Sequence, residues 1–162
     1  MGGMGREMLK PGETLPTFTV KDQAGEEISS DSLLGAGPLV IFFYPADNTP
    51  GCTAQACGFR DQHEDFLDAG ARVVGVSGDS VESHAAFVQE RRLPYTLLAD
   101  EGNHLRKSFG VPRGFLGLTP GRVTFVFDDQ GVVRAVTNSS LNPLKHVHEA
   151  LNVVRELKEA SS

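Results

Sequence analysis

Leu39-Val40-Ile41-Phe42-Phe43-Tyr44-Pro45-Ala46-Asp47-Asn48-Thr49-Pro50-Gly51-Cys52-Thr53-Ala54-Gln55-Ala56-Cys57-Gly58-Phe59-Arg60-Asp61 is the stretch on which the reading of this chain turns. Its first five residues are apolar without a break, lie between Pro38 and Pro45, and apart from Leu39 are β-branched or aromatic. Such a block reads as a strand buried on both faces at the centre of a sheet. Pro50 and Gly51 then turn the chain, and from Cys52 onward Ala56, Phe59 and Phe66 fall on one side of a helix. Cys52 is therefore expected in the first turn of a helix, just past the carboxyl end of a central strand. Open α/β sheets put their binding crevices there.

That position matters for a thiol. Unpaired backbone N–H groups and the positive end of the helix dipole favour thiolate over thiol, and thiolate is the nucleophilic form. Thr49, three residues upstream, brings a hydroxyl within reach of whatever binds at the sulfur, and Pro45 walls off one side. Cys57 is the second of two cysteines in the chain. Neither a zinc-ligand spacing nor Cys-x-x-Cys is present, which disfavours a zinc site and a redox dithiol of the Cys-x-x-Cys kind. Two thiols in a reducing compartment are either inert core residues or redox groups. Their place beside a Pro/Gly turn, outside any apolar run, favours the second.

The run resembles the peroxiredoxin signature Pro-x-x-x-Thr-x-x-Cys, here Pro45, Thr49 and Cys52. The longer Thr49-Pro50-Gly51-Cys52-Thr53, followed by Ala56-Cys57-Gly58-Phe59-Arg60-Asp61, is similar to the Q-type branch, also called bacterioferritin-comigratory proteins. The resemblance continues over residues 9–157. It departs at Gln55, where the family more often has Glu. It implies Cys52 as the peroxidatic cysteine and Cys57 as the resolving one, with Pro45, Thr49, Gly51 and Arg122 at the substrate. Arg122-Val123-Thr124-Phe125 is similar to the family strand that aims a guanidinium at the peroxidatic sulfur. By composition alone, an arginine at a strand mouth reads as a solvated charge. A fixed cation there stabilises the thiolate and the charge that develops as a peroxide O–O bond breaks.

Working outward, Phe18-Thr19-Val20 and Glu26-Glu27-Ile28 are expected to form a hairpin about Asp22–Gly25, and Asp31–Gly35 a single turn. Ala69-Gly70 closes the cysteine helix, and Arg72–Ser77 is a second buried strand. Asp79 and Glu82 suggest a capping box for a helix over 80–91 with Val81, Ala85 and Val88 inward. Tyr95–Ala99 is the next strand and Gly102–Phe109 a short helix. The loop 110–121 carries Phe115, Leu116 and Leu118, expected to tuck onto the core. Strands at Val123–Asp128 and Val132–Val136 follow, joined at Asp129-Gln130-Gly131. Asn142 caps a last helix with Pro143 in its first position and Leu144, Val147, Leu151 and Val154 inward. The expected fold is α/β, a central mixed sheet flanked by helices with an N-terminal β-hairpin, resembling the peroxiredoxin variant of the thioredoxin-like fold. Residues 1–8 are expected as a flexible leader and 9–160 as one domain.

Composition sets the outer limits. The net charge of −6 argues against nucleic acid or an anionic membrane as partner. No apolar run is long enough to span a bilayer. The amino terminus lacks the apolar core of a secretory signal, and a cytoplasmic protein is expected. His146 and His148 lie on different faces of one helix, and His63, His84 and His104 show no ligand spacing, so surface positions are expected for most. No nucleotide motif is present. What the resemblance implies is a thiol-dependent peroxidase for hydrogen peroxide and organic hydroperoxides. It works through a Cys52 sulfenic acid and a Cys52–Cys57 disulfide, reduced by thioredoxin or a similar dithiol, with no metal, haem or flavin. A monomer or weak homodimer is expected. A redox sensor relaying oxidation to a client protein uses the same cysteines, and a non-catalytic fold with two structural thiols is the third reading.

Overall fold

The computed structural model describes residues 7–112 and 121–161. Phe115, Leu116 and Leu118, with residues 1–6 of the expected leader, lie outside them. β3 (Leu39–Phe43) is the predicted apolar block, and all five of its residues are buried. It is parallel to β4 (Arg72–Ser77) on one side and antiparallel to β6 (Val123–Phe127) on the other. With β1 (Thr19–Asp22), β2 (Glu27–Ser29), β5 (Thr96–Ala99) and β7 (Val133–Asn138), these make one mixed sheet in the order β2-β1-β5-β4-β3-β6-β7. The hairpins β1–β2 and β6–β7 form at the expected turns, the second with Gly131 at a φ of 81°.

Period-2 alternation sends neighbouring β3 side chains into two separate cores. Val40 and Phe42 join Ala56, Phe59 and Phe66 from α1 (Pro50–Asp61) and α2 (His63–Asp68), Phe87 from α3 (Val81–Arg91), and Val147 and Val154 from α5 (Pro143–Ser161). Leu39, Ile41 and Phe43 join Leu105 of α4 (His104–Ser108), Phe109, Phe125 and Phe127 on the other face. Phe42 and Phe59 stack with centroids 4.4 Å apart and planes 15° from parallel, which seats the cysteine helix on the sheet. Phe59→Ala would cost about 3–5 kcal/mol, the usual loss for emptying a buried aromatic site. Among the described residues no helix is long and apolar enough to cross a membrane.

Four expectations change. The cysteine helix breaks at Gln62, where φ −99° and ψ 10° end α1 and begin α2. The cap of α3 is Ser80, whose hydroxyl accepts from the Ser83 N–H at 3.1 Å, while Asp79 turns away to other partners. His84 and Phe87 are the buried side chains of α3; Ala85 is exposed, and Val81 and Val88 are half-buried. On α5, Leu144 is 45% exposed and Ala150 is buried instead.

Candidate active site

The sheet register brings the two halves of the site together. Phe43 pairs with Val123 in the antiparallel β3–β6 ladder, so Tyr44, leaving β3, and Arg122, entering β6, come to the same end of the sheet. The chain then bends through Pro45–Asn48, with Asn48 in the left-handed region at φ 63°, and α1 starts at Pro50, where a missing N–H costs nothing. Thr49 is the N-cap in extended conformation, yet its side chain caps no N–H. Its hydroxyl donates instead to the Ala46 carbonyl at 3.1 Å. Cys52 lies in the first turn, as expected, and is only 1% exposed. Cys57 is half-buried in the same unbroken helix, and both thiols are free.

Arg122 lies against this first turn. A Cβ built on Gly51 would stand 3.0 Å from its Nη2, so glycine is what lets the guanidinium approach the residue next to Cys52. Arg122 is 7% exposed and its Nη1 donates to Gln55 Oε1 at 2.5 Å. Gln55 is thus a buried neutral acceptor, and no carboxylate pairs with Arg122 among the described residues. Arg122 Nε and Gln55 Nε2 are both buried without a hydrogen-bond partner. Pro45, Thr49, Gly51, Cys52 and Arg122 are therefore brought to one place. Cys57 lies further along α1.

Two groups beneath the loop carried no sequence signal. Asp47 accepts from the Tyr44 hydroxyl (2.6 Å), the Ser83 hydroxyl (2.7 Å) and His84 Nδ1 (2.8 Å), and its own N–H donates to Asp79 (2.8 Å). His84 Nε2 faces the Leu98 carbonyl at 2.9 Å. Both ring nitrogens meet oxygens that only accept, so both carry hydrogen and the ring is an imidazolium facing a carboxylate. Burial alone would lower the pKa of His84; the bond to Asp47 and its charge offset that and hold it above the ordinary value. Burial likewise works against ionised Asp47, yet the bonds from His84 and Tyr44 keep its pKa low. The second group is Arg106, which no motif in the sequence singles out. It donates to the Tyr44 carbonyl (2.9 Å) and the Gly121 carbonyl (2.7 Å), tying together the residues that precede Pro45 and Arg122.

Asp47, Asp79 and His84 hold ligand-type atoms within 4.8 Å of one another. With both His84 nitrogens protonated, that ring offers no lone pair to a metal. The surface expectation fails for His84 and also for His146, which is wholly buried. His146 Nε2 faces the Ser139 carbonyl at 2.7 Å and Nδ1 meets the Thr124 hydroxyl at 2.8 Å, a pairing that suits the neutral ring. Burial, helped by the Arg122 charge, lowers its pKa to about 4.

Residues 11–136 match the AhpC/TSA family. A chloroplastic peroxiredoxin Q of Sedum lineare is 54% identical over 147 residues, covering 91% of this chain and 78% of that protein. The chain belongs to the peroxiredoxins, in their Q-type branch. Peroxiredoxin Q of Suaeda salsa is 53% identical over 92% of this chain and 69% of its own. Among solved structures, peroxidoxin BcpB from Mycobacterium tuberculosis superposes with a TM-score of 0.85 at 40% identity, over 92% of this chain and 98% of that one. A Xanthomonas campestris bacterioferritin comigratory protein, described for its alkyl peroxide reduction activity, gives 0.79 at 27% identity over 87% and 92%. As a peroxiredoxin the chain is a thiol-dependent peroxidase, an oxidoreductase. The cytoplasmic expectation is overturned, because the plant peroxiredoxins Q are named chloroplastic and point to a plastid. An apolar core is the mark of a secretory signal, and looking for one is silent on a plastid address, which has no such core.

Proposed function

We propose that Cys52 is the peroxidatic and Cys57 the resolving cysteine of a peroxidase acting on hydrogen peroxide and alkyl hydroperoxides, with residues 9–160 working as one unit. The observation that carries this reading is the seating of the Arg122 guanidinium on Gly51, beside a buried Cys52 in the first turn of α1. The Cys52 thiolate attacks the terminal oxygen, the O–O bond breaks, and the sulfur keeps that oxygen as a sulfenic acid. The alkoxide or hydroxide leaves, takes a proton from solvent, and is stabilised in the transition state by Arg122. Because the Thr49 hydroxyl already donates to Ala46, it meets the peroxide O–H as an acceptor. Pro45 and Gly51 shape the pocket. The alkyl peroxide activity described for the Xanthomonas protein supports the substrate class.

Cys57 then attacks the Cys52 sulfur; the S–O bond breaks and water leaves. The geometry of α1 controls this step. Two residues five apart on a helix have Cα atoms about 8.5 Å apart, beyond the limit of about 7 Å for a disulfide. The first turns of α1 must open before the bond can close, and a dithiol such as thioredoxin reduces the exposed disulfide by exchange. Peroxide consumption coupled to thioredoxin, thioredoxin reductase and NADPH tests the whole. Wild type turns over, Cys52→Ser is inactive, and Cys57→Ser reduces one equivalent and stops. Multiple turnover in Cys52→Ser would contradict the assignment.

A further inference from the structure

Helix α1 has an attachment at the peptide between its cysteines. The Tyr95 hydroxyl donates to the Ala56 carbonyl at 2.7 Å, fully out of solvent and across 39 residues of sequence. Tyr95 immediately precedes β5, is 6% exposed, and stands edge-on to Phe42 with centroids 5.7 Å apart. The phenol is thus fixed on the sheet and not on the helix. A carbonyl only accepts, so the phenol donates and is neutral, as its burial requires. Ala56 C=O also belongs to the helix ladder, and its second lone pair is the one Tyr95 uses. Apart from the helix-start bond of the Thr53 N–H to the N-cap carbonyl of Thr49, this is among the described residues the one hydrogen bond reaching the backbone of residues 52–57 from outside the helix.

We propose that Tyr95 is a latch on α1, a positioning residue that sets how often the segment 52–57 opens for Cys57 to reach the Cys52 sulfenic acid. The proposal rests on the Cys52–Cys57 disulfide argued above. Two reactions compete for that sulfenic acid. Condensation with Cys57 breaks the S–O bond, releases water and needs the helix open. Attack of the sulfenic sulfur on a second hydroperoxide, which is the oxidant, breaks its O–O bond, transfers the terminal oxygen to give the sulfinic acid and releases water or an alcohol; it uses the closed pocket. A firm latch therefore slows the disulfide and raises overoxidation; a released one does the opposite. The hydroxyl of Tyr95 decides the partition at the level of a single buried hydrogen bond.

Tyr95→Phe keeps the ring and its contact with Phe42 and removes only the hydroxyl. Quenched flow with mass spectrometry, after one equivalent of hydrogen peroxide, reads sulfenic acid and disulfide separately. The account expects disulfide formation faster by roughly three- to tenfold, the effect of one net hydrogen bond. Sulfinic acid under excess peroxide should fall by a similar factor, while Cys52 reacts with peroxide at the wild-type rate. Thr137→Val is the control for general loosening, since it removes a 2.7 Å hydroxyl bond to Glu149 that joins β7 to α5. It should lower thermal stability and leave the disulfide rate alone. Disulfide rates equal in wild type and Tyr95→Phe, or raised as much by Thr137→Val, would overturn the latch and leave the disulfide reading standing. Failure of the wild type to form any Cys52–Cys57 bond would overturn that reading and the latch with it.

Discussion

The turn of α1 that carries Cys52 and the turn that carries Cys57 are held in different ways. Around Cys52 the backbone is fastened from several sides. Arg122 lies on Gly51, Arg106 grips the Tyr44 carbonyl, and Asp47 is clasped by His84, Ser83 and Tyr44. Around Cys57 the backbone is held from outside by the single bond of Tyr95 to the Ala56 carbonyl. Gly58 follows it, a residue that weakens a helix by about 1 kcal/mol relative to alanine. Its missing side chain is what lets Leu144 and Val147 of α5 close on the helix, since a Cβ there would meet them at 2.9 and 3.0 Å. The contrast fits one division of labour: a rigid end that presents a sulfur for attack, and a middle that lets go afterwards.

The largest effect should come from disturbing the rigid end. Arg122→Lys keeps the charge but loses the planar fork that reaches Gln55 and the first turn together. Thr49→Val keeps the shape and loses the acceptor. Each should slow the reaction of Cys52 with peroxide by roughly tenfold or more, because the lost group acts mainly on the transition state. Stopped-flow rates within about a factor of two of wild type would remove that residue from the proposed site.

A smaller effect should separate the two sides by pH, through their buried histidines. His146 belongs to α5, the side on which the Cys57 turn leans. Its pKa is lowered to about 4, so it holds a proton more weakly folded than unfolded. Its contribution to stability is complete above the unfolded value of about 6.5 and is lost as pH falls toward 4, by about 3 kcal/mol at most. His84, beneath the Cys52 loop, has a raised pKa. Its contribution is complete below about 6.5 and is lost as pH rises through that raised value. Asp47, with a lowered pKa, loses its part only as pH falls below the ordinary carboxylate range. Acid should therefore loosen the α5 side and base the loop side. In His146→Gln the amide can still donate to Ser139, and thermal unfolding should fall less steeply below pH 6.5 than in wild type. Nitrogen NMR of His84 should show both ring nitrogens protonated at pH 7. Identical acid slopes, or a neutral His84 ring, would contradict this division.

Much of this was legible in the sequence, and the misses have a common cause. β3 stands out because five unbroken apolar residues between two prolines fit little else than a buried strand. Cys52, Thr49 and Pro45 lie in one short run, and Arg122 lies in a motif that resembles the family's. Asp47, His84, Arg106 and Tyr95 act through partners 37, 62 and 39 residues away, and no local spacing records those. The aliphatic residues Val81, Ala85 and Val88 suggested one phase for α3, and the buried polar side chain of His84 set another. A histidine can replace an aliphatic residue on an inward face when a carboxylate waits there, and the sequence places that carboxylate in a distant loop. His146 also turns inward to a partner remote in sequence, here the Thr124 hydroxyl on β6.

The central claim is that α1 holds Cys52 closed for attack and opens between residues 52 and 57 to make the disulfide. Amide hydrogen exchange over residues 50–62, compared between reduced protein and protein with the Cys52–Cys57 bond verified by mass spectrometry, tests it most directly. The account predicts strong protection of these amides in the reduced protein and loss of most of it on oxidation, with the β3 amides unchanged. Equal protection of residues 50–62 in both states would contradict it.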